Sequence, residues 1–263
     1  MSISKKLRLP KEHGAWAMLY VPFALGTIVA AQVSWQWLFL LLAVSGLFIS
    51  RESMLVWWRA RSRGRDAKGA DRMLMIYLAI AAAFGAPLIL IFKLYVLIPL
   101  GLFGMVLLLI NGKQAVNLEE RSIFGEILAI CGLTMTAPAA YYVATGEWNH
   151  TALWLWLLSA CYFSSSVFYI KVRVAGLHRN KPNALQRVSQ HCAFYHTFLI
   201  VALVLFTFTK SLELPILIAF TPAISRAFIG LLTPGRKVNL TQAGFLEVVY
   251  SLIFLIFTTL TFS

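Results

Sequence analysis

The chain has 263 residues, of which 60% are hydrophobic and 13% charged, with a formal net charge of +13 and a mean hydropathy of +0.77. Soluble domains carry roughly 45–50% apolar and about 25% charged residues, and a water-soluble fold has too little interior to hide this much apolar surface. The composition excludes a disordered chain and a soluble nucleic-acid binder in spite of the basicity, and leaves an all-α, polytopic transmembrane helix bundle in one domain, 1–263.

A membrane-crossing helix needs about 20 mostly apolar residues. Nine stretches qualify: 14–31, 35–58, 73–92, 94–111, 123–143, 151–172, 192–209, 213–231 and 243–262. Spans three and four are separated only by the surroundings of Lys93 and also fit one tight helical hairpin. The basic opening, Lys5, Lys6 and Arg8, followed by an apolar run from Gly14, reads as the first span; a small-residue cleavage site leading into a soluble chain is not visible. Cys131, Cys161 and Cys192 sit in or beside apolar runs and form no paired framework.

The linkers alternate in charge. All of the 23 Lys and Arg residues except Lys93 and Lys210 fall on one side of the nine-span arrangement, with clusters at 59–72 and 171–187. Cytoplasmic loops carry the excess of Lys and Arg. The N-terminus is therefore expected in the cytoplasm and the C-terminus outside. Most of the basicity is thus topological, and its first partner is the bilayer with its anionic headgroups, not nucleic acid.

Ionisable side chains inside a span are costly, and they are functional candidates by default. Lys11, Glu12 and His13 open the first span ahead of Trp16. They read equally as an anion-contacting cluster, with Glu12 or His13 exchanging protons, and as an interfacial anchor. Arg51 and Glu52 lie about two turns before the end of the second span. Neighbours on a helix point about 100° apart, so each is expected to meet a partner on another helix. Ser50, Arg51, Met54, Leu55 and Trp58 follow helical spacing and favour the lining of a pocket. Glu126 and Glu247 begin spans five and nine, where hydrogen-bonding roles are the simpler reading. Lys171 and Arg173 end span six, and His191, Cys192, Tyr195 and His196 follow the next linker. This basic, aromatic lip fits a phosphate or carboxylate, or it is a solvated loop. His191 and His196 stand about 140° apart on a helix, poor chelation from one element, and no metal site is expected. Haem on axial histidines of separate helices is a lesser alternative. No Walker, GxSxG, HExxH or dinucleotide motif occurs at a usable position, and the sequence specifies no cofactor.

The segment Leu9-Pro10-Lys11-Glu12-His13-Gly14-Ala15-Trp16-Ala17-Met18-Leu19 resembles the start of the YwiC-like family of bacterial integral membrane proteins, as do Ser50-Arg51-Glu52 and Tyr195-His196. That resemblance implies a multi-pass protein of the bacterial inner membrane. A more distant resemblance is architectural. Nine helices with long cytoplasmic linkers after spans two and six look like the UbiA superfamily of intramembrane prenyltransferases, whose Asp-rich motifs at those linkers bind Mg²⁺ and a prenyl diphosphate. Here those places read Arg51-Glu52-Ser53 with Trp57-Trp58-Arg59-Ala60-Arg61, and Tyr169-Ile170-Lys171-Val172-Arg173. Cations do not coordinate Mg²⁺, so the metal ligands are not carried over.

The expectation is a UbiA-like bundle with a cytoplasm-facing basic cavity for a lipidic anion, isoprenoid-type or haem-like, with or without transferase chemistry. Its residues are Glu12, His13 and Glu52 as proton-transfer candidates and Lys11, Arg51, Lys171, Arg173, His191 and His196 as ligand contacts. The alternatives are a transporter or permease, and an accessory factor without chemistry of its own.

Overall fold

The computed structural model describes residues 13–32, 34–67, 69–116, 122–177, 182–235 and 240–262; the side chains of 13, 115–116, 182 and 240–244 are not described. The described residues form ten α-helices: α1 (His13–Val29), α2 (Gln36–Ser62), α3 (Ala70–Leu90), α4 (Leu97–Val116), α5 (Ile123–Thr134), α6 (Thr136–Thr145), α7 (His150–Leu177), α8 (Pro182–Phe208), α9 (Pro215–Leu232) and α10 (Leu240–Thr261). No strand occurs among the described residues. Among the described residues seven segments are long and apolar enough to cross a membrane, one of them formed by α5 and α6 together, and Gly14–Val29 and Phe245–Thr261 are shorter apolar helices. The nine expected spans are all helical. Spans three and four are two separate helices joined at Lys93.

The extra helix arises where span five breaks at Met135. Pro138 lies three residues further on and has no N–H to donate to the carbonyl of Thr134, which interrupts the helical ladder there. The Thr136 hydroxyl donates instead to the Leu19 carbonyl of α1 at 2.7 Å and to the Leu133 carbonyl at 3.1 Å. Every residue from Thr136 to Ala144 is buried, so α6 is the central post of the bundle. It packs against α1, α2 and α7, while α7 also touches α5, α8 and α9, and α10 lies against α9 and α1.

In lipid, helices gain little from hiding apolar surface and associate mainly through close packing, which small residues permit. Gly26 meets the Ala137 carbonyl so closely that a Cβ there would collide with it. A Cβ on Gly46 would lie 3.1 Å from the Tyr77 carbonyl oxygen of α3. Around these crossings the largest core cluster holds Leu155, Tyr162, Ile216, Phe220 and Phe254, and a second surrounds Phe23, Leu88 and Tyr142.

The two ends of the bundle turn differently. At the cation-poor end the described residues of the four connections include one each in the left-handed region: Ala31 (φ 51°), Lys93 (φ 57°), Gly146 (φ 73°) and Lys210 (φ 55°). Such residues close helix C-termini and let the chain reverse at once. At the opposite end helices run beyond the expected spans: α2 reaches Ser62, α7 reaches Leu177 and α8 starts at Pro182. Arg59, Arg61, Lys171, Arg173 and Arg187 therefore belong to helices. Much of what reads as basic linker is helical, because Arg, Lys and Gln have good helix propensity and the turn of a span continues past its apolar stretch.

Candidate functional site

The charged end is built by the C-termini of α2, α4, α7 and α9 and the N-termini of α1, α3, α5, α8 and α10. Its polar groups form a belt from helix to helix. Arg51 of α2 donates from Nη1 to Glu52 Oε1 at 3.2 Å and from Nη2 to Asn111 Oδ1 of α4 at 3.1 Å. Asn111 is buried and passes the chain on, its Nδ2 donating to the Gly125 carbonyl of α5 at 3.1 Å. The next residue, Glu126, accepts from Lys171 Nζ of α7 at 2.9 Å. The Ser122 side chain caps the same α5 N-terminus by accepting from the Gly125 N–H, so Glu126 gains both from the helix dipole and from the lysine.

A second part of the belt joins α7, α9 and α10. Ser166, Tyr169 and Arg173 recur at helical spacing on α7 and meet Arg226, Gly230 and Thr233, which recur likewise on α9. Arg226 makes an ion pair with Glu247 of α10, donates from Nη2 to Ser166 Oγ at 3.0 Å, and stands over the Tyr169 ring, Cζ 4.6 Å from its centroid. Its side chain is 11% exposed against 37% for Glu247, so the arginine is the desolvated partner. Gly230 makes the contact feasible, since a Cβ there would stand 2.9 Å from the Tyr169 ring.

Arg173 differs from the other two belt cations of α7 and α9. Its Nη1 donates to the Thr233 carbonyl and, at 3.3 Å, to Thr233 Oγ1, and its Nε donates to Tyr169 OH at 3.2 Å. Thr233 is the C-cap of α9, so the guanidinium sits at the negative end of that helix dipole. Among the described residues every partner of Arg173 is neutral.

The sequence-derived candidates are distributed as follows. Lys11 and Glu12 lie outside the described residues, and His13 opens α1 with its side chain outside them. Arg51 and Glu52 do face one another, against the expectation from their 100° offset, because the long arginine side chain reaches sideways to its neighbour while still touching α4. Lys171 and Arg173 are two residues apart, about 200° around the helix, and they point to α5 and to α9 respectively. His191 is exposed on α8. His196 is fully buried, its Nδ1 2.8 Å from the Cys192 carbonyl and its Nε2 2.8 Å from Ser165 Oγ of α7. A carbonyl only accepts, so Nδ1 carries a proton, and in the neutral ring the serine hydroxyl donates to Nε2. Phe168, Tyr195 and Phe228 enclose the imidazole. Among the described residues no group of three His, Cys, Asp or Glu side chains is placed to hold a metal ion.

Sequence reasoning counted Arg226 only as a topological charge and passed over Asn111 and Thr233. A cation inside the apolar stretch 215–232 was a signal for Arg226. Asn111 and Thr233 gave none, since an amide or hydroxyl near the end of a span is common and its partner lies on another helix.

A family model described as "YwiC-like protein" matches residues 9–141. A Haemophilus influenzae protein described as an "Uncharacterized protein" is 23% identical over 256 residues, covering 95% of this chain and 97% of that protein. The Bacillus subtilis "Uncharacterized protein YwiC" is 28% identical over 172 residues, 63% of this chain and 66% of that one. No solved structure matches.

Proposed function

The chain belongs to the YwiC-like family, and on that premise we propose that this integral membrane protein binds a lipidic anion, isoprenoid-type or haem-like, at the charged end of its bundle. One observation carries the reading. Arg173 is a half-buried guanidinium whose partners among the described residues are a carbonyl, two hydroxyls and a ring. Among the described residues, neutral acceptors and a helix dipole leave this positive charge without a full counter-charge, and guanidinium prefers the two-pronged acceptors of phosphate and carboxylate. Arg51 and Lys171 already hold Glu52 and Glu126; in this reading they frame the site, and Arg173 meets the anion. Glu52 is the described proton-transfer candidate, and Glu12 and His13 enter the same proposal from the N-terminal end of α1. The bundle is read as UbiA-like, with its charged end in the cytoplasm of a bacterial cell and the metal-binding carboxylates replaced by cations.

The test is lipid mass spectrometry on the purified protein. An anionic isoprenoid or porphyrin species enriched over the bulk lipid extract is expected in the wild type. It should be lost in Arg51→Ala/Arg173→Ala, while Lys210→Ala, at the opposite end, keeps it. A wild type without any enriched anion, across several extraction conditions, overturns the reading.

A further inference from the structure

We propose a second, separate lipid site: a groove between α2 and α4 that seats one anionic phospholipid of the bilayer, its phosphate at Arg61 and its upper acyl chain along Met54 and Leu109. The groove measures about 470 Å³ and is lined by Met54, Trp57, Trp58, Arg61, Ser62 and Leu109. It involves none of the residues assigned to the lipidic anion above.

The argument begins with spacing. Met54, Trp57 or Trp58, and Arg61 succeed one another at three and four residues, so they form one stripe on α2. Over about 10 Å of helix that stripe changes from thioether to indole to guanidinium and hydroxyl. This is the order in which a phospholipid changes from chain to interface to phosphate. The indoles occupy the level where Trp is enriched at membrane surfaces. The opposite wall is α4, where Leu109 is exposed; beside it Gly112 lets the Met54 and Trp58 side chains pack onto this helix, since a Cβ there would lie 3.1 Å from Met54 Cε and 3.3 Å from Trp58 Cζ3.

Charge selects the headgroup. Arg59 and Arg61 lie in the last turn of α2, Arg63 caps it and Arg65 follows, with no carboxylate between Arg59 and Arg65. A zwitterionic headgroup would bring its ammonium into this field, whereas a phosphatidylglycerol-type headgroup brings only its phosphate charge. Arg61 lines the groove itself; Arg65 stands beyond the helix and contributes only to the general field.

The experiment uses the full chain reconstituted in phosphatidylcholine vesicles that contain brominated phosphatidylglycerol or, in parallel, brominated phosphatidylcholine. Bromine quenches indole fluorescence on contact. The contribution of the groove is the difference between wild type and Trp57→Phe/Trp58→Phe. We expect that contribution to be half-quenched at a phosphatidylglycerol fraction about fivefold lower than the phosphatidylcholine fraction, the effect of one arginine at an anionic surface. Arg61→Gln should abolish the preference and Arg65→Gln should keep it. Equal quenching by the two lipids, or an equal loss in both arginine variants, overturns the site in favour of an unspecific lipid shell. Both readouts are independent of the lipid species that co-purifies, so failure here and failure of the Arg173 site are distinguishable.

Discussion

The same substitution, Gly→Ala, should have opposite effects at two helical positions of this protein. At Gly26 a Cβ would collide with the Ala137 carbonyl oxygen and also stand 3.0 Å from the Tyr141 nitrogen. Both are backbone atoms of the central helix α6, which is buried from Thr136 to Ala144 and has nowhere to shift. Relief requires α1 to move off, which also stretches the 2.7 Å bond from Thr136 to the Leu19 carbonyl. Overpacking of this kind costs about 1–3 kcal/mol, and a weakened hydrogen bond adds about 0.5–1 kcal/mol. Against this, replacing a helical glycine by alanine recovers about 0.5–1 kcal/mol of backbone entropy. The net expectation for Gly26→Ala is a loss of about 2 kcal/mol. At Gly104 of α4 nothing stands within 4 Å of the added methyl, so only the gain of about 0.5–1 kcal/mol remains. For a chain of this size the first variant should melt roughly 4–8 °C lower and the second slightly higher than wild type. Thermal unfolding of purified protein in one mild detergent, followed by size-exclusion recovery, measures both. A Gly26→Ala protein as stable as wild type, or a Gly104→Ala protein equally damaged, would refute the packing argument.

Three other outcomes follow from the charged end and the turns. Lys171→Met should destabilise by about 1–2 kcal/mol, reduced from a fully buried pair because Glu126 is 33% exposed. The exchange Glu126→Lys/Lys171→Glu should recover part of that loss, and strict additivity in a double-mutant cycle would dismiss the pair. Glu247→Leu should cost about 2–3 kcal/mol by leaving the desolvated Arg226 without its counter-charge, and Arg226→Met about 1–2 kcal/mol because the carboxylate it leaves is 37% exposed, whereas the double variant should melt closer to wild type than Glu247→Leu. For orientation, a periplasm-active reporter fused after 262 should be active and the same reporter within the 59–72 segment inactive; the reverse pattern would invert the assignment drawn from the Lys and Arg distribution.

The helical class, the nine apolar runs and the concentration of cations on alternate linkers were legible in the sequence. Each depends on composition within a window about as long as the bilayer is thick, and a lipid solvent leaves a single chain few other ways to satisfy its backbone. The break at Met135 was less visible, although Pro138 marked it. A proline lowers the ladder locally, but whether the helix bends or divides depends on a foreign acceptor, here the Leu19 carbonyl.

The candidate site divides in the same manner. Arg51, Glu52, Lys171 and Arg173 announced themselves, because a charge in or near an apolar run is costly and easily noticed. Their partners did not. Arg51 reaches both its own neighbour and Asn111, sixty positions away, and Lys171 and Arg173 face different helices although they are nearly adjacent in the chain. Sequence alone determined which residues are expensive and at which end of the bundle they gather, since both follow from local polarity and length. Only the tertiary structure decided which charges neutralise one another and which, like Arg173, rest on neutral groups, because that depends on how the glycine-lined crossings rotate each helix about its own axis.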